Sequence, residues 1–210
     1  MEDFEISNEE FIKKYVKEKN TGYHIWRFIL TPLAHLVYRV KIYGKENIPE
    51  NGGVIFASNH IHMPDPVFII ISTKRTIRFL AKKELLESKL GPLYRTMATI
   101  PVDREHSSHN TIMAAEYALK NGEVVGIFPE GTRNRNKPGD LLPFKYGAVS
   151  MASKLGVPIV PIILKSNGRP FLDDYKVYIG EAYFVEKDAD LDKENEILRE
   201  KMLTLLHNGS

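Results

Sequence analysis

The stretch SNHIHMPDP, Ser58 to Pro66, sets two histidines and an aspartate within six residues, directly behind the apolar run VIFA. A neutral imidazole can accept a proton near pH 7. A carboxylate on its other nitrogen fixes the tautomer and stabilises the imidazolium that forms. His60 and Asp65 are the pair that could do this. On an uninterrupted helix their side chains would point about 140° apart. Pro64 and Pro66 argue instead for a turn leading into a helix, which can fold the carboxylate back onto His60. Asp65 has a second reading as a helix N-cap, a common place for Asp before a proline at the first helical position. His60, His62 and Asp65 also resemble the His-x-His clusters of metallohydrolases. Such sites need three or more ligands with supporting partners. His24, His35, His106, His109 and His207 form no second tight cluster with acids, so no metal is expected.

A second constellation is FPEGTRNR, Phe128 to Arg135. An apolar strand delivers Glu130, Gly131, Thr132 and Arg133 into a loop. Gly131 permits tight backbone geometry and close ligand approach. The Arg133 guanidinium offers a planar fork suited to phosphate. Lys82, Lys83, Arg104 and Lys145 follow or flank neighbouring elements, and several cations around one pocket fit a phosphate-bearing ligand. The plainer reading of the loop is a Glu130–Arg133 salt bridge.

These groups need elements to hold them. Residues 6–20 read as a charged helix with Asn8 as N-cap and Phe11, Ile12, Tyr15 and Val16 as its apolar stripe. Tyr23–Val40 is apolar but carries His24, Arg27, His35 and Arg39, and Pro32 is expected to interrupt it. It reads either as a helix packed on the core or as one lying in a membrane interface, aromatics and arginine at headgroup level. From residue 53 strand and helix signals alternate: GVIFAS, IRFLA, ATIPVDR, EVVGIFPEG and VPIVPIIL as strands, YKVYIGEAYFV as one or two more. Between them lie helices in PVFIIISTK, KKELLESKLGPLYRTM with a break at Gly91–Pro92, SSHNTIMAAEYALKNG with serine caps, and LLPFKYGAVSMASKLG. A charged amphipathic helix follows, with Leu191, Ile197, Leu198, Met202, Leu205 and Leu206 on one side. The expectation is a single α/β domain: a largely parallel, mixed sheet of about seven strands flanked by helices. Sites in such sheets form beyond the carboxyl ends of the strands. NHIHMPD, VDREH and FPEGTRNR all follow apolar strands and so can converge there.

Composition narrows the chemistry. The chain has 210 residues, 43% apolar and 27% charged, which excludes a disordered chain. It has no cysteine, which excludes disulfides, a thiol nucleophile and cysteine-bound zinc. Net charge is only +2, yet Phe11–Lys45 carries eight Lys/Arg against Glu18 alone, and Glu181–Glu200 carries eight acids against three bases. The basic, aromatic N-terminal part suggests an anionic partner; a nucleic-acid partner is not expected. No signal peptide is visible, and no run of about 18 apolar residues predicts a transmembrane helix.

NHIHMPD with FPEGTR resembles the glycerophosphate acyltransferases, most closely the lysophosphatidate (1-acyl-sn-glycerol-3-phosphate) acyltransferases. The family's Asn-His, four residues, Asp block matches Asn59, His60 and Asp65. Its hydrophobic–x–x–Arg block places Arg104 in IPVDR, and Phe-Pro-Glu-Gly-Thr-Arg matches Phe128–Arg133 without a change. AKKEL and PFKYGA match Ala-Lys-x-Glu-Leu and Phe-Lys-x-Gly-Ala, picking out Lys82 and Lys145, and Val157–Ile162 is the apolar fourth block. These blocks span about residues 50–165. One departure stands out: His62 takes the place where the family often carries Ser or Thr.

The resemblance implies acyl transfer from an acyl thioester, acyl-CoA or acyl-carrier protein, to the 2-hydroxyl of lysophosphatidate, giving phosphatidate with no cofactor or metal. His60 would be the base oriented by Asp65, and Arg133, Lys82, Arg104 and Lys145 would bind the phosphate. Asn59, Glu130, Gly131 and Thr132 would shape the site loop. It also implies residues 1–45 as a helical membrane-associating segment before an acyltransferase domain, 46–210, peripheral at the cytoplasmic face of a membrane. Rival readings are another glycerophosphate or lysolipid acceptor, a metal-dependent hydrolase, and a non-catalytic lipid-binding protein.

Overall fold

The computed structural model describes residues 6–16, 20–103, 109–135, 139–167 and 174–208. Seven strands form one sheet: β1 (Lys41–Tyr43), β2 (Val54–Ser58), β3 (Ile77–Lys82), β4 (Ile100–Val102), β5 (Val124–Ile127), β6 (Ile159–Lys165) and β7 (Lys176–Ile179). Their order across the sheet is β1-β7-β6-β2-β5-β3-β4. Every neighbouring pair is parallel except β6–β7. The expected largely parallel α/β sheet is therefore present.

Helices cover both faces, as parallel crossovers require. They are α1 (Asn8–Tyr15), α2 (Thr21–Tyr38), α3 (Asp65–Ile70), α4 (Lys83–Glu87), α5 (Gly91–Thr96), α6 (His109–Lys120), α7 (Gly147–Leu155) and α8 (Leu191–Asn208). The central strands are buried on both faces, which is why they read as unbroken apolar runs. Along β2, Ile55 and Ala57 join the core beneath α1, α6, α7 and α8, while Val54 and Phe56 join the core on the α2–α3 face.

Several local expectations change. The cap of α1 is Ser7, one residue before Asn8, in a capping box with Glu10. The strand count is met differently: LysIleTyr at 41–43 is an edge strand, and YKVYIGEAYFV gives β7 plus a single bridge, Tyr183 to Ile159. Gly91–Pro92 opens α5, a proline in the first turn being well tolerated there. The serines expected to cap α6, Ser107 and Ser108, lie outside the described residues.

Pro32 does not interrupt α2. The carbonyl that loses its donor to a proline ring belongs to the residue four before it, here Phe28, on the exposed side of the helix. One turn away Thr31 Oγ1 donates to the Arg27 carbonyl at 2.6 Å. The opposite side docks the helix. Tyr23 is buried, its hydroxyl donating to the Arg75 carbonyl and accepting from the Ile77 N–H, and Arg27 Nε donates to the Thr73 carbonyl. Ile25, Phe28, Ile29, Leu33 and Leu36 remain exposed at helical spacing. The core-packed reading of this segment thus holds for one side of the helix; the other side is apolar and uncovered. No helix among the described residues is long and apolar enough to cross a membrane.

Candidate active site

The sheet order places β2 beside β5 and β5 beside β3, so the segments following these strands meet at one edge. β2 ends at Ser58, and Asn59 extends it with its side chain. The Asn59 carboxamide donates to the Leu164 carbonyl at 3.0 Å and accepts from the Leu164 N–H at 2.7 Å, clamping the turn to β6.

The turn of residues 60–62 wraps the Asp65 carboxylate, which is fully buried. Oδ2 accepts from the Ile61 N–H at 2.7 Å and the His62 N–H at 2.8 Å, and lies 2.8 Å from His60 Nδ1. Oδ1 accepts from the Tyr175 hydroxyl at 3.0 Å. Four donors on one carboxylate match its acceptor-only character. With Oδ2 already accepting two N–H groups, His60 Nδ1 must carry the third hydrogen. The lone pair then falls on Nε2. Asp65 is the first residue of α3, with Pro64 at the cap position and no side-chain cap bond. The carboxylate therefore binds the turn before it and not the helix after it, and the helix-cap reading falls.

The His60 ring is 19% exposed and stacks on Phe128, centroids 4.2 Å apart and planes 20° apart. Phe128 stacks in turn on Phe79 of β3 at 5.6 Å. This column needs Gly126: a Cβ there would sit 2.5 Å from the Phe79 ring. The His60 backbone is held from both sides, its N–H by Glu130 Oε1 at 3.1 Å and its carbonyl by the Asn134 N–H at 2.7 Å. Glu130 Oε2 accepts from the Leu142 N–H at 2.9 Å. Glu130 is buried, and burial pushes its carboxyl above the usual range, partly offset by the Leu142 and His60 N–H groups. It serves backbone donors and not the Arg133 salt bridge of the plainer reading.

Gly131 has φ +65°, in the left-handed region, and a Cβ on it would collide with the end of the Lys145 side chain at 2.8 Å. The Lys145 N–H also donates to the Pro129 carbonyl. The Leu142 and Lys145 N–H groups are taken by these loop acceptors, so residues 141–145 form no helix and α7 starts at Gly147 and not at Leu141. Thr132 and Arg133 are exposed beyond Gly131, and Lys82 is exposed at the end of β3. Arg104 lies outside the described residues, as does His106. The fold thus bonds His60 to both Asp65 and Glu130, with Asn59, Gly131 and Lys145 in the turn and loops around them; Arg133 and Lys82 stand at the same edge.

Tyr175 was not foreseen, and no local signal marks it. It lies 110 positions from Asp65 and arrives because β7 runs antiparallel to β6, bringing its amino end to the edge where β6, β2, β5 and β3 end. Among the described residues no group of three or more His, Asp or Glu is placed to hold a metal ion.

The acyltransferase family model matches residues 39–165. The 1-acyl-sn-glycerol-3-phosphate acyltransferase of Bacillus subtilis (strain 168) is 35% identical over 148 residues, 68% of this chain and 72% of that protein. The enzyme of the same name from Borreliella burgdorferi is 32% identical over 183 residues, 80% of this chain and 72% of that one. The solved structure of the 1-acyl-sn-glycerophosphate (LPA) acyltransferase from Thermotoga maritima superposes with a TM-score of 0.68, covering 96% of this chain and 78% of that one. At 23% identity that match is a likeness of fold.

Proposed function

This chain belongs to the acyltransferase family, and we propose that it moves a fatty acyl group from an acyl thioester to the 2-hydroxyl of 1-acylglycerol-3-phosphate, giving phosphatidate. The observation that carries this reading is the His60–Asp65 pair at 2.8 Å, tied through Glu130 to the Phe128–Arg133 loop. The names of the relatives supply the acceptor class.

A glycerol hydroxyl is a poor nucleophile, so a base must take its proton as it attacks. His60 Nε2 carries the lone pair and takes that proton. The oxygen adds to the thioester carbonyl, the tetrahedral intermediate collapses with cleavage of the C–S bond, and the imidazolium returns the proton to the departing thiolate. Asp65 stabilises the imidazolium in between. A positioned base contributes roughly 10²–10⁴-fold, so orientation of the acceptor must supply much of the rest. Arg133, with Lys82, Lys145 and Arg104, holds the acceptor phosphate. Glu130, Gly131, Thr132 and Asn59 fix the loops. The donor is acyl-CoA or acyl-carrier protein, and the reaction draws on no metal or other cofactor.

Phosphatidate and its precursor reside in bilayers. The exposed face of α2, Ile25 to Leu36, rests in the interface of a membrane, peripherally and on the cytoplasmic side.

The test is an acceptor panel with both thioester donors, scored by lipid product, in wild type and His60→Ala. Phosphatidate formed by wild type and lost with His60→Ala supports the reading. Retention of most activity removes His60 as the base, and a different preferred acceptor reassigns the substrate. Activity should survive extensive EDTA treatment; a loss restored by zinc would revive the hydrolase reading.

A further inference from the structure

A cavity of about 830 Å³ opens beside the turn that carries His60, within the usual size of a small-molecule site. His60 itself does not line it. Its wall takes His62, Arg133 and Arg135, then Lys165 and Ser166 from the end of β6, and Lys176 from the start of β7. Two carboxylates also reach it, Asp140 and Asp174. Each is already engaged by an arginine off the wall: Arg199 at 3.3 Å from Asp140 and Arg39 at 3.0 Å from Asp174. Among the described residues the wall carries four Lys and Arg side chains against these two carboxylates.

Lys165 and Lys176 are direct register partners across the antiparallel pair. Like charges in that position destabilise a sheet. Burial, and then the neighbouring Lys176 charge, hold the Lys165 ammonium below the ordinary lysine value. Its Nζ stands 5.2 Å from the Tyr178 ring centroid, a further contact that desolvated cations favour. Two adjacent lysines on a concave wall hold a positive potential that attracts an anion. His62 closes the same wall, its Nε2 3.3 Å from Ser166 Oγ. Lys176 lies beyond the residues matched by the family model.

Two substrates must reach His60 together, so the acceptor phosphate and the donor carrier need separate places. Arg133 of the acceptor set stands on this wall too, but Lys82 of β3 and Lys145 before α7 do not line it, and the lysine pair comes from β6 and β7, on the other side of β2 from β5. We propose that this cavity receives the phosphate of the donor's phosphopantetheine arm, the chemistry that acyl-CoA and acyl-carrier protein share, with Lys165 and Lys176 as its contacts and His62 and Arg135 beside them. The assignment rests on the acyl-transfer reading for the identity of the ligand.

The experiment uses the Lys165→Gln/Lys176→Gln double variant, with Lys176→Gln alone as a milder change that leaves Lys165 over its ring. Calorimetric titration with CoA, 4′-phosphopantetheine and pantetheine needs no turnover. The double variant should weaken CoA and 4′-phosphopantetheine on the order of tenfold and leave pantetheine unchanged. In turnover, the donor KM should rise by the same factor with acyl-CoA while the acceptor KM stays fixed, and an acyl-pantetheine donor should be used equally by both proteins. A matching loss with acyl-carrier protein places the shared phosphodiester in the cavity; a loss confined to acyl-CoA places the CoA diphosphate there. Unchanged CoA affinity overturns the proposal, as does a wild type that binds neither phosphate-bearing probe. A rise in acceptor KM instead of donor KM also overturns it. Full activity of His60→Ala would defeat the catalytic reading while leaving the titrations to decide the cavity.

Discussion

Replacing Asp65 by Asn separates the role of its charge from that of its shape. The amide oxygen can take the place of Oδ2, which accepts from His60, Ile61 and His62, and the NH₂ group then faces the Tyr175 hydroxyl, which can rotate to accept. The fold is therefore kept. Charge-assisted bonds become neutral ones, about half as strong, at a net cost of about 2 kcal/mol. For a chain of this size that lowers Tm by roughly 4–8 °C. Catalysis suffers more. The imidazolium that forms on His60 loses a carboxylate whose oxygen stands 2.8 Å from Nδ1. At a charge separation of about 4 Å and an effective dielectric near 20, that attraction is about 4 kcal/mol, or roughly a thousandfold in rate. The assay is thiol release from acyl-CoA with lysophosphatidate as acceptor, run well below the Tm of the variant so that all of it is folded. The expected result is kcat down by about three decades with both KM values within a few-fold. A folded variant with kcat within tenfold of wild type would refute the reasoning and leave Asp65 a purely structural residue.

Arg133→Ala should raise the acceptor KM on the order of tenfold or more while the donor KM holds; an unchanged acceptor KM with lost kcat would point away from ground-state phosphate binding. Phe28→Asp with Leu36→Asp alters two side chains that are 79% and 76% exposed, so Tm should move little, while flotation with anionic vesicles should weaken by about a hundredfold or more; equal flotation would discard the interfacial role of α2. Burial raises the Glu130 carboxyl above its unfolded value, so the folded protein keeps a proton that the unfolded chain releases. Stability should then fall as pH rises from the ordinary glutamate range towards that raised value. Glu130→Gln should flatten this part of a Tm–pH profile, and parallel profiles for the two proteins would contradict the burial argument.

The central strands were legible because a strand buried on both faces must be apolar along its buried length, as β2 is up to Ser58 and β6 up to Lys165. The edge strand β1 was not: three residues with exposed ends, LysIleTyr, have no pattern to read. The site residues that sit in short contiguous blocks, His60, Asp65 and Glu130, could be named from spacing and from the resemblance. Their partners could not. Tyr175 reaches Asp65 and Leu164 reaches Asn59 only through strand order, which local sequence does not encode. The start of α7 was misplaced because residues 142 and 145 spend their N–H groups on Glu130 and Pro129, a tertiary claim on backbone that propensity alone would have made helical. Asp65 was ambiguous between cap and partner since both need the same residue at the same turn; only the direction of its hydrogen bonds decides.

The reversed direction of β7 also sets an order of events during synthesis. Both sequence blocks that furnish the base and the phosphate loop leave the ribosome well before residue 175. Until β7 has paired with β6, Oδ1 of Asp65 has no hydroxyl to meet it and Lys165 has no partner across the sheet. A nascent chain thus carries its reactive residues for some time without the contact that finishes their geometry. The last strand to emerge is the one that completes the site.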